Sequence, residues 1–169
     1  QELVVNQSEP GSKFGHSVSI RGEYALIGAP NKFEGQRAAG AAYLFKRDAG
    51  QWTENQKIVA SDKDWNDQFG ISVSLGEKMG LIGAHLNDDA GDGSGSAYLF
   101  RNSEAGFSEV RKLLPTDVVR QNEFGIAVDI SDHRIVIGAY RDTNNTGFGS
   151  VYFYANSPQC FSTGNIVGG

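Results

Sequence analysis

A set of landmarks recurs about every 55 residues along this chain of 169, and that period constrains the fold more than any other feature. Phe14-Gly15 opens the run FGHSVSI, Phe69-Gly70 opens FGISVSL, and Phe124-Gly125 opens FGIAVDI. Ile27-Gly28-Ala29, Ile82-Gly83-Ala84 and Ile137-Gly138-Ala139 follow at the same spacing. A third block reads GAAYLF from Gly40, GSAYLF from Gly95 and GSVYFY from Gly149, with one residue deleted in the last copy. Trp52, Phe107 and Phe161 come next, followed by the apolar pairs Ile58-Val59, Leu113-Leu114 and Ile166-Val167. Landmarks held in phase across three copies mark a repeat architecture, in which each unit buries its faces on its neighbours.

Each copy reads as four short strands. In the first copy, His16 to Ile20 alternates with period two, and a turn at Arg21-Gly22-Glu23 leads to Tyr24–Ala29. That second strand is nearly all apolar, which suits burial on both faces. A polar loop from Asn31 leads to Ala41–Phe45, and a hairpin at Asp48-Ala49-Gly50 leads to Gln56–Ala60. No segment carries a helical period. The expected fold is all-β: three four-stranded antiparallel β-propeller blades of about 55 residues plus an extra N-terminal strand. The expected divisions are 1–12 for that strand and its lead-in, then 13–67, 68–122 and 123–169 for the blades.

Composition supports strands joined by tight turns, since 22 glycines punctuate aromatic and β-branched runs while prolines number only 4. A net charge of −5 argues against nucleic acid or an anionic membrane as partner. No apolar stretch approaches the roughly 18–20 residues of a membrane span, so no membrane insertion is expected. The chain opens on Gln1 with no signal peptide, which fits a processed mature chain or a trimmed one. A lone Cys160 gives no intrachain disulfide framework. Asn6-Gln7-Ser8 and Asn144-Asn145-Thr146 match the glycosylation sequon, a triplet that also arises by chance.

The Phe-Gly and Gly-Ala landmarks resemble the FG-GAP repeat, the blade of integrin-α-type β-propellers and of many secreted bacterial proteins. Phe14-Gly15 with Gly28-Ala29-Pro30 supplies both halves of that signature, and the other two copies repeat it without the proline. The resemblance spans roughly residues 3–167 and looks closest to the secreted bacterial version, because segments such as Ser61-Asp62 to Asp67 are acidic and precede the Phe-Gly. It implies an extracellular or cell-surface propeller. The family's calcium loop, between the first two strands of a blade, is not carried over. The connections Arg21-Gly22-Glu23, Gly76-Glu77-Lys78 and Ser131-Asp132-His133 lack the alternating oxygen ligands such a site needs.

Three blades cannot close a ring, since propellers use about four to eight. Leu3 lies 11 residues before Phe14, as Ile58 does before Phe69 and Leu113 before Phe124. Glu2-Leu3-Val4-Val5 therefore occupies a fourth-strand position, while Asn165-Ile166-Val167 can complete the last copy. Glu2, Leu3, Val4 and Val5 are accordingly expected to exchange with another chain, giving a ring or a filament. The alternative is that the chain is a fragment of a longer propeller.

Catalytic constellations are absent from the sequence. His16, His85 and His133 fall at non-equivalent repeat positions, and nothing matches a nucleophile elbow or a phosphate-binding glycine loop. The terminal Ile166-Val167-Gly168-Gly169 is explained by the repeat register. Asn87, Asp88, Asp89 and Asp92 gather hard oxygens near a glycine turn and form a calcium candidate; the same residues also form turns for their own sake. No other cofactor is expected. The reading is a non-enzymatic extracellular module for protein contact, adhesion or self-assembly. The alternative is a carbohydrate-binding propeller with Trp65 at its surface, Trp52 being a packing residue in register with Phe107 and Phe161.

Overall fold

The computed structural model describes residues 1–5, 9–103, 106–116, 120–131, 134–140 and 149–155. Asn6, Asn144, Cys160, His133, Phe161 and the Ile166-Val167 pair lie outside the described residues. Among the described residues, strands β1 (Val18–Arg21), β2 (Tyr24–Ala29), β3 (Ala41–Asp48) and β4 (Gln51–Ile58) form one antiparallel meander. Strands β5 (Val73–Leu75), β6 (Met79–Ala84), β7 (Ser96–Ser103) and β8 (Gly106–Leu113) form a second. Strands β9 (Ala127–Ile130), β10 (Arg134–Ala139) and β11 (Ser150–Ala155) form a third, three-stranded sheet.

The chain is all-β, and its described residues form sheets of four, four and three strands that do not close into a ring. Two expectations need amendment. The fourth strand starts at Gln51 rather than Gln56, because Ala49 (φ 46°) and Gly50 (φ 84°) make a two-residue turn that pairs Asp48 directly with Gln51. Residues 1–5 do not form a regular strand, because no strand among the described residues pairs with them. Both four-stranded sheets also carry the same irregularity, a register shift at Leu44/Phe45 and at Leu99/Phe100, 55 residues apart.

The core lies between sheets, not within them. Leu26, Ala42 and Leu44 on one face of the first sheet meet Phe69, Val73 and Leu75 of the second. Leu81, Ala97 and Leu99 meet Phe124, Ile130 and Ile137 of the third in the same way. Burying each such Leu, Ile or Phe contributes about 1.5–3 kcal/mol, so the two joints supply most of the hydrophobic stabilisation. The opposite face of the first sheet, with Ala25, Ile27, Tyr43 and Phe45, is covered by Val5 and, in part, by Leu3.

Candidate functional site

The joints explain why the landmarks take the residues they do. Phe69 is fully buried, its ring meeting Tyr98 at 5.3 Å and Phe100 at 6.1 Å, and Phe124 repeats this with Tyr152 and Tyr154. The Phe69 N–H donates to the Ala39 carbonyl of the preceding sheet (2.9 Å), and the Phe124 N–H to that of Ser94 (3.0 Å). The Gly70 carbonyl then lies over Gly28, where an added β-carbon would sit only 2.0 Å from it; at Gly83 the Gly125 carbonyl would be 1.9 Å away. No side chain fits beneath that oxygen. The Gly-Ala glycine is thus a landing place for the next Phe-Gly backbone.

Serine hydroxyls fasten the same joints. Ser17 donates to the Gly70 carbonyl (2.9 Å) and Ser72 to that of Gly125 (2.7 Å). Ser19 accepts from the Leu75 N–H (3.0 Å), and Ser74 accepts from that of Ile130 (3.1 Å) while donating to Asp129 (2.7 Å). Residue-type reasoning overlooked these serines, although their 55-residue spacing is visible in the sequence. The residue before each Phe-Gly was also overlooked: Lys13, Gln68 and Glu123 all adopt φ near +57°, a left-handed conformation that costs a non-glycine roughly 1–2 kcal/mol. Packing of the Phe behind it holds each turn in place.

The outer faces of the array differ from its joints. On the first sheet Val18 is 70% exposed and Ile20 68%, whereas their counterparts Val73 and Leu75 are buried. On the third sheet Val151 is 61% exposed and Phe153 62%, whereas Ala97 and Leu99 are buried. The N-terminal residues lie along the first of these faces. Gln1 aligns its amide with the main chain of Trp52, donating to its carbonyl and accepting from its N–H, each at 3.0 Å. Leu3 and Val5 pack on the sheet beside Trp52, while Glu2 and Val4 are exposed.

The acidic loop of the second sheet is tied up by its own chain. The Asn87 side-chain oxygen accepts from Ser96 (2.6 Å), and an Asp88 carboxylate oxygen accepts from the Gly93 N–H (2.7 Å). Asp89 pairs with Lys112, whose ammonium also meets Asp62 at 2.7 Å and lies 5.1 Å from the centre of the Tyr98 ring. The Asp92 carbonyl accepts from the Gln121 N–H. Among the described residues no group of three or more His, Cys, Asp or Glu side chains is arranged to hold a metal ion.

His85 is buried with Nδ1 unpaired, and burial, aided by nearby His16, holds its pKa down to about 4. Burial also lifts the Tyr98 hydroxyl well above its ordinary value, and that hydroxyl donates to Asp62 at 2.8 Å. Trp65 is 68% exposed, and Trp52 is half-buried in the cluster with Tyr43 and Phe45. No helix of the described residues is long and apolar enough to cross a membrane.

Comparison with curated proteins finds no match. The FG-GAP repeat matches over residues 1–45, 52–100 and 107–154, and the second and third matches open on β4 and β8, the fourth strands of their sheets. With matches over well more than half of its length, and with the Phe-Gly and Gly-Ala backbones locked together at both joints, the chain belongs to the FG-GAP repeat family.

Proposed function

We propose that this chain is a non-catalytic β-propeller module that works through protein contact, joining further blades of its own kind in an extracellular or cell-surface setting. The observation that carries this reading is the pair of exposed apolar faces at the two ends of the array, Val18 and Ile20 at one and Val151 and Phe153 at the other. Contiguous exposed apolar surface marks an association site. Strand exchange accompanies the contact. Glu2-Leu3-Val4-Val5 have no third strand among the described residues, and the Asn165-Ile166-Val167 segment that can complete the last copy lies outside them, so the two segments compete for the place beside β11. In the complete sheets Ile58 stands opposite Ala42 and Leu113 opposite Ala97. The same offset sets Leu3 of one copy opposite Val151 of another, with main-chain hydrogen bonds along the pair.

The particle mass by light scattering tests the reading, with and without residues 1–6. Assembly that weakens on trimming, with circular dichroism unchanged, is the expected result. A stable monomer at about 100 μM, a concentration that reveals contacts far weaker than typical specific ones, rules self-association out.

A second reading, glycan binding, is favoured by one surface. A cleft of about 320 Å³ is lined by Asn31, Phe33, Asn66 and Gln68 among others, and the exposed Trp65 adjoins it in the chain. Aromatic faces beside amide groups suit sugar rings. Specific signal on a glycan array, lost in Trp65→Ala, would favour this reading; a blank array removes it.

A further inference from the structure

We propose that the open face of the third sheet around Gly138 is a socket for a second copy of this chain, which seats its Phe14-Gly15 turn there. The inference rests on the self-association reading and names the surface through which it acts. Gly28 and Gly83 are each closed over by the carbonyl of the next Phe-Gly, at 2.0 and 1.9 Å from an added β-carbon. Gly138 holds the third such position. Among the described residues the nearest atoms to a β-carbon there belong to Ala127 of the same sheet, at 3.5 and 3.7 Å. No other described residue enters the space that is filled at both internal joints.

The matching half of the joint lies at the other end of the array. Gly15 has φ +89°, close to the +90° of Gly70 and the +92° of Gly125. Those two are closed by the Ala41 and Ser96 carbonyls at 2.3 and 2.2 Å, whereas among the described residues nothing comes within 4 Å of a β-carbon at Gly15. Beside it, Val18 and Ile20 are exposed where Val73 and Leu75 are buried. Each end therefore carries one half of a joint that the chain itself builds twice. That continuity selects a second copy as the occupant. The contact is head-to-tail, so it closes into a ring or extends as a filament according to the angle between copies.

Two substitutions set its strength. Asp129 stands where Ser19 and Ser74 offer an acceptor to the next sheet, and its carboxylate can accept from the Ile20 N–H of the second copy. Ala127 stands where Ser17 and Ser72 donate to the Phe-Gly carbonyl, so one hydrogen bond is missing. The joint between copies is thus weaker than the joints within one.

Gly138→Ala tests the socket, because alanine fits an isolated chain there at ordinary contact distance and without left-handed backbone. Sedimentation velocity over a concentration series should show self-association weakened at least about tenfold, with the melting temperature unchanged. Parent and variant associating equally would overturn the socket while leaving self-association standing. A parent chain that is monomeric throughout would overturn both. If Gly138→Ala melts lower than the parent, Phe153→Glu replaces it, since that side chain is mostly in solvent. The same two results then decide.

Discussion

The side-chain amide of Gln56 holds the main chain of Phe107 in both directions, donating to its carbonyl at 2.9 Å and accepting from its N–H at 2.8 Å. Gln1 does the same to Trp52, and Gln56 and Phe107 stand 55 positions after Gln1 and Trp52. A fourth strand thus reaches across to the following sheet, and the N-terminal residues make the same reach. Gln56→Ala leaves two partly buried main-chain groups without this partner, and is expected to lower stability by about 1–2 kcal/mol. Gln1→Ala removes an exposed pair and should change stability much less. Urea titrations of both variants check the contrast; equal losses would contradict it.

Phe69→Ala should destabilise by about 3–5 kcal/mol, the range for a buried Phe. The side chain is fully buried between two sheets and packs edgewise on Tyr98. Phe14→Ala should be milder, because Phe14 is only half-buried on the open side of the first sheet. Denaturant unfolding decides, and a loss below about 1 kcal/mol for Phe69→Ala, a typical surface effect, would place that residue outside the joint.

Stability should fall on mild acidification through His85. Its pKa is held at about 4 in the folded chain against 6.5 when unfolded. Between those values the unfolded chain binds the proton and the folded one does not, so stability is full above about pH 6.5 and drains away towards pH 4. The loss is about 1–3 kcal/mol. Asp67, whose pKa is raised by burial, acts in the opposite sense. The informative quantity is therefore the difference between the parent and His85→Gln in chemical unfolding at pH 7 and pH 4.5. Parallel pH dependence of the two proteins would remove His85 from the account.

Calcium removal should leave folding intact. Lys112 already supplies positive charge between Asp62 and Asp89, and hydrogen bonds within the protein engage oxygens of Asn87 and Asp88. Adding a chelator is expected to shift the melting temperature by less than about 2 °C; a fall of more than about 10 °C, worth about 2.5–5 kcal/mol in a domain of this size, would show that the acidic loop holds a cation.

The 55-residue period was enough to place the sheets, because stacked repeats must put equivalent residues in equivalent environments. Tyr24–Ala29 emerged with the bounds its apolar run indicated, and Phe69 and Phe124 went to the joints. Hydropathy says little about the polar fastenings. Ser17, Ser19 and Gln56 become partners of main-chain groups some 50 residues away only once two sheets are stacked, and nothing about a lone serine or glutamine announces this. The loop at Asn87–Asp92 shows the same limit: its composition suits a cation, and Lys112, brought in from β8, occupies one side of it. Glycine marks the boundary most clearly. The sequence repeats Gly28, Gly83 and Gly138 as equals, but tertiary packing covers the first two with a neighbour's carbonyl, and no described residue so covers the third. A residue type records that space is needed above it; only the arrangement of sheets decides whether this chain fills that space.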